Sequence, residues 1–411
     1  MLARALQPSL GETARGGGSV NAMVGLGEKA VPGLPVWDAV VVGAGPAGSM
    51  TAHELARAGK RVLLLDRQQF PRWKVCGGTL SPGAQGLLAQ SDLGGLLDSL
   101  GAGPLHTLRL GGWSITADLP LNGSRAVSRS ALDAALIEAA VRRGAHFSAG
   151  VRVDLGELSG GVRTVELLGS EGPREVAARV VVAADGLASK LLAQAGLPAR
   201  EPTAARRRVV GLGAVFPASS APFEPGVIHM AVGREGYAGV VQVEDGSINV
   251  AAALDHEALR QAESPSALVQ DLLAQGGWPS LPTTPSLGWR GTPGLTRRPE
   301  RPGAERLLAV GDAAGYLEPF TGEGVFWSLS GARLIAPLVG RVGKTWDPRI
   351  LTEWTNTHAR LMKRAQRVCR ATSWVLSRPL LTRSALRMLT SSPRLARPIV
   401  RRVGAPIVSR A

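Results

Sequence analysis

A glycine-rich corner lies between two apolar runs near the start of this 411-residue chain. Trp37 to Val42 (WDAVVV) is a short, β-branched run of buried-strand type. Gly43-Ala44-Gly45-Pro46-Ala47-Gly48 follows at once, and Ala47 to Ala58 reads as a helix stopped by Gly59. Arg61 to Leu65 is a second buried strand, closed by Asp66 and followed by Arg67. Strand, Gly-x-Gly-x-x-Gly turn, helix, strand and terminal acid form a βαβ unit suited to the pyrophosphate of a dinucleotide. Gly43 permits the tight turn, Gly45 lets a phosphate approach the backbone, and Gly48 lets helix and strand pack closely. The helix start, at which Pro46 and Ala47 stand, presents the free N–H groups of its non-proline residues and the positive end of the helix dipole. Asp66 is placed to accept hydrogen bonds from an adenosine ribose.

The chain has enough apolar material to fold around this corner. Hydrophobic residues make up 45% and charged residues 19%, a globular balance, and the length fits two or three domains of about 100–200 residues. Cys76 and Cys369 are the two cysteines. Two cysteines make no disulfide framework, so a reduced, cytoplasmic setting is expected. No secretory signal is visible, and no apolar run reaches the ~18 residues of a transmembrane helix.

Residues 1–36 read as a mobile leader. Residues 37–104, 129–204 and 299–345 read as a discontinuous nucleotide-binding domain. Its later parts include a helix capped by Ser128 or Ser130, and strands near 146–153, 161–168 and 174–184. Residues 105–128 and 205–298 differ. Val209–Phe216, Val227–Val232, Tyr237–Val243 and Ser247–Leu254 read as strands between Gly- and Pro-containing turns, which predicts an antiparallel sheet. Arg306 to Val310 returns to a buried strand, and a helix is expected from Glu323 to Val339. Residues 346–411 read as a basic helical region. The predicted fold class is therefore α/β: a Rossmann-type domain with an inserted antiparallel substrate sheet and a helical C-terminus.

Three further segments complete a pattern: Pro71-Arg72-Trp73-Lys74-Val75-Cys76-Gly77-Gly78, Val180 to Ser189 around Asp185-Gly186, and Leu308 to Gly315 followed by Pro319-Phe320-Thr321-Gly322-Glu323-Gly324. With the glycine corner, they resemble the geranylgeranyl reductase family of the FAD-dependent monooxygenase-like flavoproteins. The resemblance covers about residues 37–340. It implies FAD as cofactor and NAD(P)H as transient electron donor. It places Gly311 and Asp312 on the ribityl and pyrophosphate region, Arg129 on the cofactor, and Asp185-Gly186 on the diphosphate. The Gly322-Glu323-Gly324 turn would face the pyrimidine edge of the flavin, where a helix N-terminus stabilises negative charge. Cys76 and Gly77 would lie near flavin and substrate, with Cys76 either redox-active or a lining residue, and Lys74 either holds an anionic group or is solvated. Archaeal lipid-type members carry Tyr-x-Trp-x-Phe-Pro in the inserted sheet. Here Tyr237 matches, while Gly239, Val241 and Gln242 replace the rest. The implied reaction is reduction of carbon–carbon double bonds in a hydrophobic small molecule, with hydroxylation of an aromatic or polyketide-like substrate as the alternative. A non-catalytic flavin-binding, membrane-associated scaffold is the third reading.

The net charge of +15 is concentrated at one end. After Glu353 there are thirteen Lys and Arg and no Asp or Glu, which leaves the rest near neutral. Leucines, Trp374 and Met388 interleave with these arginines. The tail either lies on an anionic membrane surface or packs on the nucleotide domain with a solvated basic face. No nucleic-acid module accompanies the charge, so nucleic-acid binding is not expected.

Overall fold

The computed structural model describes residues 36–391 except 171, 202–207, 219–222, 318–319, 321 and 377; at 364–368, 370 and 373 it describes backbone alone. The expected leader (but for residue 36), the tail beyond 391, Pro319 and Thr321 thus lie outside the described residues.

β1 (Ala39–Val42), α1 (Pro46–Arg57) and β2 (Val62–Asp66) form the opening unit. β3 (Thr79–Leu80), α2 (Pro82–Gln90) and the short α3 (Leu96–Ser99) lead to a long hairpin of β4 (Gly103–Gly112) and β5 (Ile115–Ala126). α4 (Arg129–Arg142) is capped by Ser128, whose hydroxyl accepts from the Ala131 N–H at 3.1 Å. β6 (His146–Ala149), the meander β7 (Arg152–Ser159), β8 (Val162–Gly169) and β9 (Gly172–Ala178), then β10 (Val181–Ala183) and α5 (Lys190–Gln194) follow. The inserted segment holds β11 (Val209–Phe216), β12 (Val227–Val232), β13 (Gly236–Gln242), β14 (Ile248–Asp255), α6 (His256–Gln261), α7 (Pro265–Gln275) and β15 (Leu287–Gly294). β16 (Gly303–Ala304) and β17 (Leu307–Ala309) return to the first sheet, followed by the 3-10 turn Gly311–Ala314. α8 (Gly324–Gly340), α9 (Arg349–Leu376) and α10 (Pro379–Ser391) end the described chain.

The first sheet runs β16-β17-β10-β1-β2-β6, parallel except at the β16–β17 edge. Side chains alternate across it. Ala39, Val41, Val62, Leu64, Val182 and Leu308 face a core shared with α1, α4, α8 and α9. Val40, Val42, Leu63, Leu65, Val181 and Ala309 face the opposite core, covered by the β7-β8-β9 sheet and α5. Both faces are buried, which is why these strands read as unbroken apolar runs.

The second sheet runs β15-β11-β14-β13-β12-β4-β5-β3. Its pairings are antiparallel except one: β12 runs parallel to β4, with Ile228 opposite Leu108. The strands of the inserted segment 205–298 pair antiparallel, as the turn signals predict. The parallel step is where this segment meets the β4–β5 hairpin, because the two meet from distant parts of the chain and no hairpin sets their direction. α7 covers the back of this sheet with Leu268, Val269, Leu272 and Leu273. It was not anticipated, although Ser264 caps it by accepting from the Ala267 N–H at 3.0 Å and Pro265 opens it. Two expected strands each divide. The chain turns at Gly150 (φ +75°) between β6 and β7, and again between β9 and β10, so each half joins a different sheet.

Candidate functional site

The glycine corner sets the site. Gly43 has φ +105°, and a Cβ there would lie 2.3 Å from the Ala184 carbonyl oxygen. A Cβ on Gly48 would lie 1.8 Å from the Gly43 oxygen, so α1 can press on β1 and β10 only with glycine at that place. Gly45 faces the other way. A Cβ there would first meet Nη2 of Arg129 at 3.5 Å and Nη2 of Arg72 at 3.7 Å. No side chain caps the first turn of α1, leaving its N–H groups directed at the same space. Asp66 closes β2 as expected and is buried: Oδ2 accepts from the Ala44 N–H at 2.8 Å and Oδ1 from the Gln68 N–H at 2.9 Å. The carboxylate therefore braces the corner. Arg67 is exposed beside it.

Two guanidinium groups meet at Gly45 because one carboxylate holds both. Asp133 is fully buried on α4, one turn after Arg129, and binds that residue in a two-point pair at 2.8 and 2.7 Å. Arg72 reaches the same carboxylate at 3.3 Å and Asp66 at 3.6 Å. Burial works against the charge of Arg129, but Asp133 outweighs it and raises the pKa. Arg72 and Asp133 were missed as site residues. The sequence signal for Asp133 is its i,i+4 spacing from Arg129; for Arg72 there is only its place in the cationic loop. Asp133→Asn should leave both guanidinium groups short of charge. An expected loss of about 3 kcal/mol of unfolding free energy, with weaker flavin retention, is readable by denaturant titration and by absorbance.

The model of the FAD binding domain family matches residues 37–368. A digeranylgeranylglycerophospholipid reductase of Methanopyrus kandleri is 32% identical over 321 residues, covering 72% of this chain and 79% of that protein. The chain belongs to the geranylgeranyl reductase family of FAD-dependent oxidoreductases. A menaquinone reductase of Mycolicibacterium smegmatis is 29% identical over 325 residues, 75% of this chain and 77% of that one. A conditioned medium factor receptor of Dictyostelium discoideum is 28% identical over 328 residues; the match covers 73% of this chain and 62% of the receptor's length. A flavoprotein/dehydrogenase structure from Cytophaga hutchinsonii superposes with a TM-score of 0.76 at 18% identity, over 90% of this chain and 93% of that one, and shows the shared fold. An FAD diphosphate fits the uncapped α1 terminus, the bare Gly45 and the two guanidinium tips.

Next to the corner, the 3-10 turn after β17 starts at Gly311 (φ +64°), where a Cβ would lie 2.6 Å from Cβ of Ala47. That close approach brings Asp312 beside the start of α1. Lys74 Nζ lies 3.9 Å from Asp312 Oδ2, and a Cβ on Gly186 would lie 3.7 Å from the same amine. The Lys74 side chain opens onto the cavity with 40% of its surface, and protein surrounds the rest. This desolvation lowers its pKa, with Asp312 opposing. Asp185 turns away: its Oδ2 accepts from the Leu191 N–H at 3.2 Å and so caps α5, while the backbone of Gly186 stays at the cavity wall. Burial raises the Asp185 pKa against its hydrogen bonds from Ser189 and the α5 backbone.

Gly322, Glu323 and Gly324 gather at the start of α8, again with no side-chain cap. Glu323 is 5% exposed and sits in the cavity wall. Ser81 gives its carboxyl a hydrogen bond, but Oε1 has no partner among the described residues. Burial pushes its pKa up to about 7, with the Ser81 bond opposing, so the side chain holds a proton near neutrality.

A cavity of about 1240 Å³ runs from Gly45 and the start of α8 across the second sheet. Its walls are Leu108, Leu110, Leu119, Leu121, Ile228 and Met230, with a floor of small residues at Gly211, Gly239, Ala251 and Ala253. Cys76 lines it, and the Cys76 carbonyl accepts from Asn249 Nδ2 at 2.8 Å, which ties the cationic loop to the sheet. Tyr237 stands further along, its ring edge-on to Phe320 at 4.9 Å. α9 and α10 close this end with Val375, Leu376, Thr382, Ala385, Leu386 and Leu389. α9 packs on α8, but α10 packs on β4 and β5. The C-terminal helices therefore roof the substrate sheet as well as the nucleotide domain.

Proposed function

We propose that this flavoprotein saturates carbon–carbon double bonds in a chain-like, isoprenoid-bearing lipid, with NADH or NADPH as electron donor. The carrying observation is the cavity. Pockets for one small molecule usually measure ~300–1,000 Å³. This one is larger, continuous from Gly45 to Leu389, and apolar along its far half. It suits the ring end of a flavin and a long hydrophobic ligand together. Two relatives are named for lipids with isoprenoid chains, which supports the same substrate class. Gly239 stands where archaeal lipid-type members carry tryptophan, and a Cβ there would make ordinary contact with Ala251 and Met230 at 3.8 Å. The floor so widened suits a ligand bulkier at that point than a bare prenyl chain.

FAD, when bound, carries two electrons from donor to substrate. The chain's own residues do the rest. Arg72 and Arg129 hold the diphosphate. The leucine walls exclude water from the reacting bond, and Tyr237 with Phe320 limits how far the chain slides. Saturation of one double bond adds a hydride equivalent to one carbon and a proton to its neighbour. Glu323 is the buried acid able to give that proton. Cys76 acts as wall.

The reading is tested anaerobically. Bound flavin is bleached with NADH or NADPH, then candidate unsaturated lipids are added. Return of the yellow colour with a product two hydrogens heavier per bond is expected. Re-oxidation by oxygen alone, with an oxygenated product, would assign the site to hydroxylation instead.

A further inference from the structure

We propose that the outer face of the α9–α10 pair docks this protein onto an anionic lipid bilayer. Eight large apolar side chains are exposed among the described residues, and four of them fall between 374 and 388: Trp374 at 55%, Leu380 at 77%, Leu381 at 39% and Met388 at 52%. Trp374, Leu380 and Leu381 gather at the corner between the helices. Met388 follows Leu381 by two helical turns and shares its side. The guanidinium of Arg378 stacks over the Trp374 ring at 4.1 Å, and Arg383 and Arg387 flank the apolar residues on α10. No acid occurs anywhere after Glu353, so no charge on this segment opposes an anionic surface.

The inner side of α10 is already occupied. Thr382 and Leu386 are buried, Ala385 and Leu389 line the cavity, and the Thr390 hydroxyl donates to the Thr116 carbonyl at 2.8 Å. The helix therefore carries apolar residues on two sides, one packed and one bare. A bilayer matches the bare side in both respects: headgroup charge meets the arginines, and the acyl boundary takes up tryptophan, leucine and methionine. No described helix is long and apolar enough to cross a membrane, so the pair would lie in the interface. One helix diameter, ~10 Å, then separates lipid from the cavity.

The test uses the full-length flavoprotein and no substrate, so its result stands apart from the reaction proposed above. The protein is sedimented with vesicles of phosphatidylcholine alone or mixed with phosphatidylglycerol. Binding to the mixed vesicles, falling as salt rises, is expected. Arg383→Gln and Arg387→Gln should each lower partitioning about fivefold. The triple change Trp374→Ser, Leu380→Ser, Met388→Ser should lower it at least about tenfold. Flavin absorbance and melting temperature check that each variant is folded. Equal binding to neutral and anionic vesicles, or no binding, would overturn the proposal. So would binding that survives these substitutions and vanishes when the chain is cut after Ser391. A dimer that dissociates in the triple variant would assign the face to a second copy of the chain.

Discussion

Gly45→Glu protein is expected to purify folded and colourless. Gly45 has φ −78°, which any residue adopts, and a Cβ there meets nothing closer than 3.5 Å. The substitution therefore leaves the fold intact. What changes is the occupant of the cradle. The new carboxylate points at Nη2 of Arg129 and Arg72 and takes the place of the diphosphate between them. Two or three charge-assisted hydrogen bonds to the cofactor, each worth about 1.5–3 kcal/mol, are lost. At 1.4 kcal/mol per decade this lowers FAD affinity by about two orders of magnitude or more. Titration with FAD, followed by flavin fluorescence, measures it against the parent protein. A yellow variant with one flavin per chain would remove the diphosphate from this corner.

Glu323→Gln should keep flavin and lose turnover by about 100-fold or more, the usual range for removal of a general acid. Its effect on stability has a definite sign. The folded carboxyl titrates near 7, above its ordinary value of 4.5. Between those pH values the folded protein retains a proton that the unfolded chain has released. Stability is therefore lost as pH rises through this window, and the deficit is complete above about pH 7. Glutamine does not ionise, so the flavin-free variant should melt higher than the parent at pH 8 and alike at pH 4. The upper bound of the gain is about 3 kcal/mol. A carboxylic C=O infrared band present at pH 6 in the parent and absent in the variant reads the proton directly. Equal melting at both pH values, with turnover intact, would leave Glu323 as a wall residue and nothing more.

These two residues differ in how far the sequence exposes them. Gly45 is legible because everything it needs is local: a strand, a tight corner and a helix start, spelled within a dozen residues. The buried parallel strands were legible for the same reason, since a strand covered on both faces must be apolar throughout. Glu323 was legible as a place at the start of α8, but its proton was not. That depends on burial by elements far away in sequence, which outweighs the opposing Ser81 hydrogen bond, while Oε1 finds no partner among the described residues.

The amino-acid sequence by itself determined the nucleotide corner, the two-sided apolar strands around it and the basic, acid-free C-terminal segment, because periodicity, turn chemistry and charge counts are properties of neighbours along the chain. The tertiary structure alone decided that Asp133 gathers Arg72 and Arg129 at Gly45. It also decided that Asp185 turns to cap α5, that β12 runs parallel to β4, and that α10 lies over the substrate sheet with a bare apolar side outward. The Arg72–Asp133, β12–β4 and α10–sheet contacts join residues distant in sequence, and the Asp185 cap, though local, is one of several hydrogen bonds its neighbours allow; desolvation, ion pairing and register are settled only when packing brings the chain together.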